Sequence, residues 1–384
     1  MTPIRIGFIG LSSRGWASTN LVPQLFHPLL SSSYSLTALS TSSEASAAVA
    51  AAKYSELAGH PVKGYHGEQG FVDIANDPNV DMVAVSIKVP DHLKAVTPAI
   101  EAGKDVFVEW TPGNGYEETL KIVEAAKKKG VKVLVGAQVT HGIYLNKIKE
   151  LIDSGKIGRV LSVSVILSVP AEMPFGGLTS EAYTYASDIN NGATLLTIMA
   201  GHLLVAVSHA IGEFAEVTAS GAIQYPIALL RDSDGKLTGE SIPKTTHDQI
   251  ALSGILRGSG NNTNAVFANI HIQGGIPLLG EKGRGRTVLK WVVDGEDGVI
   301  EVLKKEEDSP GGAFISTREK RVLLNGEEVK VEEREEDQLD NSGKAWLEFA
   351  RGGRYWSIED AVRVHRVLDA AQKSIDEGRK FVLA

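Results

Sequence analysis

Along the first 140 residues, apolar and polar positions switch repeatedly between a period of two and a period near 3.6. Ile4 and Ile6 alternate with polar or small neighbours and run into Phe8 and Ile9, which predicts a buried parallel strand. Gly10 then turns the chain into a helix expected over 14–30. Further strands are predicted at 35–40, 62–65, 81–87, 105–109 and 132–136. Helices are expected between them at 44–58, 68–76, 92–102 and 117–129. Strands separated by helices of about ten to fifteen residues indicate a parallel sheet covered on both faces.

The pattern changes near Gly142. After one helix, 144–154, strand periodicity dominates: 160–169, 215–223, 247–256, 264–273, 287–293, 299–303 and 320–324. A long apolar helix is expected at 193–210, and turn-forming residues cluster at 232–235 and 294–298. This reads as an open, mostly antiparallel sheet backed by helices. Two amphipathic helices, 343–350 and 358–377, close the chain and are placed to pack back on the first domain. The expected division is therefore an α/β domain, 1–140, and an α+β domain, 141–384. The acidic run 327–340 reads as a solvated hairpin and loop.

Composition narrows the function classes. A chain of 384 residues fits two domains, and 43% hydrophobic residues suffice for both cores. With 39 basic and 47 acidic residues the net charge is -8, which gives no general attraction to nucleic acid or an anionic membrane. The absence of cysteine excludes disulfides, thiolate metal sites and cysteine nucleophiles, and the ten histidines show no ligand spacing. The start has strand character rather than a basic leader, and no membrane-spanning run is expected, so the chain reads as a cytoplasmic protein.

The first strand and turn supply the first candidate chemistry. Gly7 and Gly10, then Ser12, Ser13, Arg14 and Gly15, approximate a phosphate-cradling Gly-x-Gly-x-x-Gly turn, with Ser12 at the middle glycine. The second strand ends at Thr41, where an NAD site ordinarily has an acid for the ribose hydroxyls. With no carboxylate there to repel a 2′-phosphate, and Arg14 close in sequence to the turn, NADP is favoured over NAD. Lys88 follows the fourth strand on the same expected sheet edge.

Longer motifs carry a resemblance. Ile87-Lys-Val-Pro-Asp-His92, Ala99-Ile-Glu-Ala-Gly-Lys-Asp-Val-Phe-Val-Glu-Trp-Thr-Pro112, Gly136-Ala-Gln138, Lys149-Glu-Leu-Ile-Asp-Ser-Gly-Lys-Ile-Gly158 and Glu359-Asp-Ala-Val-Arg-Val-His365 resemble the glucose-fructose oxidoreductase, inositol dehydrogenase and MocA (Gfo/Idh/MocA) family. Gly15-Trp-Ala17, Val108-Glu-Trp110 and Pro243-Lys-Thr245 resemble the subgroup that contains the galactose-pathway repressor. The resemblance implies a Rossmann dinucleotide fold, a second domain for substrate and homo-oligomer contacts, and hydride transfer between a nicotinamide and a hydroxyl-bearing carbon. It also implies roles for single residues. The family's Glu-Lys-Pro motif reads Glu109-Trp110-Thr111-Pro112, so the lysine position is Trp110, and an indole cannot relay a proton. The family's Gly-His-x-x-Asp segment reads Gly201-His202-Leu203-Leu204-Val205, which keeps the histidine and loses the acid.

His202 is therefore the first catalytic candidate, because an ordinary imidazole titrates near neutrality, with Tyr183 and Tyr185 next. Ile87, Lys88, His92, Glu109, Trp110 and Gln138 are candidate cofactor contacts, and His141 is a site wall. The expected function is an NAD(P)-dependent oxidoreductase of a sugar-like or other hydroxylated or carbonyl small molecule. The alternatives are a catalytically silent NAD(P)-binding regulator with a protein partner, or elimination or isomerisation in a remodelled pocket.

Overall fold

The computed structural model describes residues 2–258, 264–278, 280–305 and 321–383. The chain forms two compact units, Met1–His141 with Glu333–Val362, and Gly142–Glu332 with Arg363–Ala384.

In the first unit, β1 (Ile4–Ile9), β2 (Tyr34–Thr41), β3 (Lys63–His66), β4 (Met82–Val85), β5 (Asp105–Glu109) and β6 (Val133–Gly136) form one six-stranded sheet in the order β3-β2-β1-β4-β5-β6. All pairs are parallel. The central strands are apolar throughout because both faces are covered; all four residues of β4 are buried. The helices are α1 (Val22–Leu25), α2 (Glu44–Ala58), α3 (Gln69–Asn76), α4 (His92–Glu101) and α5 (Tyr116–Lys129). Their ends follow local chemistry. The Ser43 hydroxyl accepts the Ser46 N–H to start α2, and α5 carries Glu117 and Glu118 in its first turn and Lys127, Lys128 and Lys129 in its last.

Of the helix expected over 14–30, only 16–25 is helical. A five-residue π-helical segment, Ala17–Leu21, leads into the four-residue α1, and turns follow. Pro23 has no N–H to bond back into the preceding turn and sits where α1 begins, and Pro28 prevents a continuation.

In the second unit the elements are α6 (Ile143–Asp153), β7 (Val160–Pro170), β8 (Leu178–Ser180), α7 (Gly201–Ala210), β9 (Gly212–Ala222), β10 (Ile227–Arg231), β11 (Leu237–Pro243), β12 (Gln249–Gly258), β13 (Ala265–Ile276), β14 (Thr287–Gly295), β15 (Val299–Lys305), β16 (Arg321–Leu324), β17 (Glu327–Glu328) and β18 (Phe381–Val382). Nine strands make one sheet, β17-β16-β15-β14-β7-β13-β12-β9-β18. Only β7 and β13 pair in parallel among its described pairs. Register explains its two faces. Val163, Val165 and Leu167 stand beside Ala268, Ile270 and Ile272 on one side and Val293, Trp291 and Leu289 on the other, all buried. The alternate positions are polar or exposed, among them Ser162, Ser164, Ile166 and Phe267.

A second sheet, β11-β10-β8, was not anticipated, because its strands are short or exposed. Lys320, expected to open the strand at 320–324, lies outside the described residues. The run Ile189–Ala210 is, contrary to expectation, long and apolar enough to cross a membrane by length and composition. With 78% of it buried inside the protein, however, it has the pattern of a core segment.

Helix α8 (Asn341–Arg351) belongs to the first unit, and α9 (Ile358–Glu377) runs from the first unit into the second. Asp340 caps α8 by accepting the Gly343 N–H at 2.7 Å. The Trp346 ring packs edge-on to Tyr34 at 5.6 Å and against Phe107 at 4.5 Å, while the Tyr34 hydroxyl donates to the Trp346 carbonyl at 2.8 Å. Trp346 is among the largest buried side chains, at 1% exposure. Trp346→Ala is expected to destabilise the first unit by about 3–5 kcal/mol in urea unfolding. A loss below about 1 kcal/mol would show that the sheet does not depend on this helix.

Candidate functional site

Because the six strands are parallel, their carboxyl ends share one edge, and the order reverses at β1, which lies between β2 and β4. Open α/β sheets bind ligands in that crevice. Gly10 closes it from below. Its φ is +90°, and a Cβ would lie 2.1 Å from the Ser86 carbonyl oxygen and 2.7 Å from Ile87 Cγ2, so no side chain fits. The Gly10 N–H donates to Ser40 O at 2.8 Å, and the Ser86 N–H donates to Ile9 O at 3.0 Å. Gly7 lies beneath this turn inside β1. A Cβ there would meet Ile74 Cγ1 at 2.8 Å, so its small size serves the packing of α3 on the sheet.

The loop after Gly10 is held by its own hydroxyl and by α2. The Arg14 N–H donates to Ser12 Oγ at 3.3 Å, and that hydroxyl donates back to Arg14 O. Lys53 Nζ donates to Ser13 O at 3.1 Å and the Tyr54 hydroxyl to Ser12 O at 3.5 Å. Lys53 and Tyr54 were not legible as site residues, since they lie about forty positions along the chain from the loop they hold. The helical run begins at Trp16 rather than Arg14, so Arg14 lies in the loop before it. At the end of β2, Thr41 is buried and its hydroxyl donates to Ser43 O at 3.0 Å, within the turn that starts α2.

On the other side of the crevice, Ile87 and the exposed Lys88 follow β4. His92 is 1% exposed, with its ring nitrogens 2.7 Å from Thr111 O and 3.1 Å from Ile87 O, and burial lowers its pKa. It ties the end of β4 to the end of β5, a structural role. The Trp110–Thr111 peptide is cis, and Trp110 is buried.

Glu109 is the centre of this edge. It accepts the Trp16 indole N–H at 3.4 Å, and Gln138 Nε2 donates across its two oxygens, at 3.0 and 3.2 Å. Gly136, at the end of β6, makes room for it, since a Cβ there would lie 2.6 Å from Glu109 Oε2. Burial pushes the Glu109 carboxyl up to about 7, against hydrogen bonds from Gln138, Trp16 and the Trp110 backbone N–H that favour its charged form. Trp16 links the glycine loop to β5, a contact the sequence did not reveal. Gln138 Oε1 is buried and has no hydrogen-bond partner among the described residues.

The remaining candidates lie in the second unit. Tyr183, half exposed, and Tyr185 stack at 6.5 Å in the turn Glu181–Ser187. His202 is buried on α7, and burial pushes its imidazole down to about 4. It therefore does not titrate near neutrality, unlike the ordinary imidazole expected from the sequence. Val205, at the family's acid position, is buried in the same apolar helix. The Pro243-Lys-Thr245 segment carries a buried ion pair, Lys244 Nζ to Asp248 Oδ2 at 2.9 Å, and Asp248 also accepts the N–H groups of Gln224 and Tyr225. Thr245 fixes the tyrosine turn: its N–H donates to Ser187 O at 2.9 Å and its hydroxyl accepts the Ile189 N–H at 3.0 Å. Among the described residues no group of three or more potential metal ligands forms.

Residues 4–137 match the model of an oxidoreductase family with an NAD-binding Rossmann fold, and residues 144–303 match that of the Gal80p C-terminal domain. Dehydrogenase aclE of Aspergillus oryzae is 30% identical over 98% of this chain and 97% of its own length. The chain belongs to the Gfo/Idh/MocA oxidoreductase family. Within the family it is also similar to the galactose/lactose metabolism regulatory protein GAL80 of Saccharomyces cerevisiae, at 29% identity over 66% of this chain and 58% of that protein. A super-repressor mutant of Gal80p from the same yeast superposes with a TM-score of 0.83 at 22% identity, covering 99% and 98% of the two chains. Levoglucosan dehydrogenase in complex with NADH and L-sorbose superposes at 0.72 and 17%, covering 99% of each chain. At these identities the structures show a shared fold.

Residues 4–137 thus carry the NAD-binding Rossmann fold of the family, and at the crevice of its sheet Gly10 leaves no room for a side chain. Gly10→Ala is expected to weaken NADH and NADPH binding about tenfold or more, about 1.4 kcal/mol, in calorimetry. Undiminished affinity would mean that the turn does not face the dinucleotide.

Proposed function

We propose that this protein is an NAD(P)-dependent oxidoreductase acting on a sugar-like or other hydroxylated small molecule, as a cytoplasmic homo-oligomer. The observation that carries the reading is the joining of two features on one sheet edge: the Gly10 turn against Ser86, and the Glu109–Gln138 pair with its unpartnered amide oxygen. A dinucleotide fits such a crevice. The loop amides and Arg14 would hold the pyrophosphate, Thr41 would face the adenosine ribose, and Gln138 Oε1 offers an acceptor for a carboxamide N–H at the nicotinamide end. When bound, the dinucleotide supplies the hydride acceptor or donor. The chain's residues orient it, and buried Trp110 limits water at the end of β5. The full-length similarity to a protein named as a dehydrogenase supports an enzyme.

The similarity to Gal80p and the loss of the lysine at Trp110 favour a second reading, a nucleotide-binding regulator with a protein partner. Titration with NADH and NADPH, followed by a panel of aldoses and polyols scored by nicotinamide absorbance, separates the two. Binding with turnover supports the enzyme, and binding with none supports the regulator.

NADP(H) is expected to bind at least as tightly as NAD(H), with Thr41→Asp shifting the preference towards NAD. Several-fold tighter binding of NAD(H) to the unaltered chain refutes that. Because the nine-stranded sheet exposes Ile166 and Phe267 on its open side, sedimentation at micromolar concentration is expected to show a homo-oligomer, and a monomer throughout that range contradicts it.

A further inference from the structure

Oxidising an alcohol requires somewhere for the hydroxyl proton to go, and Trp110 stands where the family's lysine would receive it. We propose that Glu109 replaces that lysine as the proton-exchanging group, a role that rests on the oxidoreductase reading above. In the oxidative direction the substrate C–H bond breaks with its electron pair passing to the nicotinamide. The O–H bond breaks with its proton passing to a Glu109 carboxylate oxygen, and the C=O bond forms; reduction runs the same steps backwards.

The geometry suits both charge states of the acid. As a carboxylate, Glu109 accepts from Gln138 Nε2 across its two oxygens and from the Trp16 N–H on one of them. Protonation turns one oxygen into a donor that needs an acceptor. Gln138 Oε1 lies buried on the same amide with no hydrogen-bond partner among the described residues, and in the unliganded protein a half-turn of that amide presents it to the protonated acid in place of Nε2. The Glu109 carboxyl therefore finds a hydrogen bond to Gln138 in either charge state.

The groups facing the carboxyl come from three elements: the Trp16 indole from the glycine loop, the Gln138 amide beyond β6, and the Trp110 N–H beside Glu109 itself. Among the described residues no charged side chain contributes to its titration, which burial places near neutrality. The two other candidates with resolved shifts move away from that range. His202 is neutral at pH 7, and burial raises the Tyr185 phenol.

Trp16 provides a readout that needs no turnover. At 42% exposure it is the one exposed tryptophan, and Trp110, Trp291, Trp346 and Trp356 are buried. Emission of the unliganded protein is expected to titrate with a midpoint near pH 7, and Glu109→Gln or Trp16→Phe should remove that component. Gln138→Met deletes donors that favour the carboxylate, so it should move the midpoint to higher pH; this variant keeps the test in force if Glu109→Gln does not fold. With any substrate the panel yields, Glu109→Gln should lower kcat about 10²-fold or more with dinucleotide affinity nearly unchanged, while His202→Gln should keep the near-neutral limb of the pH profile. Flat wild-type emission between about pH 5 and 9, or Glu109→Gln turning over at the wild-type rate, overturns the proposal alone. Bound dinucleotide with no turnover on any substrate overturns the oxidoreductase reading and the catalytic role with it.

Discussion

The approach of the Gly10 backbone to the Ser86 carbonyl is the constraint on which the site depends. A backbone atom can come that close only where there is no Cβ, and the φ of +90° is one that a side chain would oppose in any case. This contact seats the end of β1 against the end of β4 and places the crevice at the reversal of strand order. The loop beyond it carries Trp16 across to Glu109 on β5. One glycine thus connects the turn at the end of β1 to the acid at the end of β5, through backbone geometry and one indole hydrogen bond.

Much of this was legible in the sequence, and the reasons are local. Parallel strands buried on both faces show as unbroken apolar runs, so β4 and β5 could be read directly from Met82 to Val85 and from Val106 to Val108. Glu109 and Gln138 could be located because motifs fix positions. The charge state of Glu109 could not be read, since it is set by burial from residues distant in the chain. The charge state of His202 could not be read for the same reason, in the opposite direction: burial pushes its imidazole down to about 4. The amphipathic pattern of α8 announced a buried face, but only the structure shows that Trp346 spends it on Tyr34 and Phe107. The sheet β11-β10-β8 escaped because Leu237–Pro243 is exposed at nearly every position and offers no alternation to read.

The second unit combines the same economy of polar groups with firm placement. Burying Lys244 and Asp248 completely removes two charges from water, so the pair is a poor device for stability unless every remaining bond is made. Those bonds are made: two backbone N–H groups complete Asp248, and the adjoining Thr245 ties down the turn that presents Tyr183 and Tyr185. Such an arrangement specifies the position of a loop more than it adds to folding energy. The subgroup motif Pro243-Lys-Thr245 is thus explained by positioning.

Exchanging a lysine for a carboxylic acid also changes the electrostatics of hydride transfer. A lysine ammonium beside an oxidised nicotinamide places two positive charges together, whereas Glu109 would face that positive ring as an anion. Opposite charge favours the ionised carboxyl, so Glu109 would sit below its unliganded value near 7 and be ready as a base when oxidation begins. With the ring in its neutral, reduced form that attraction would be gone, and burial would again favour the protonated acid. The affinity of Glu109 for its proton would therefore rise during the step in which it must take one up. Buried Trp110 would assist by limiting water beside Glu109, because a solvated carboxyl would lose both the elevated starting value and most of the coupling to the ring.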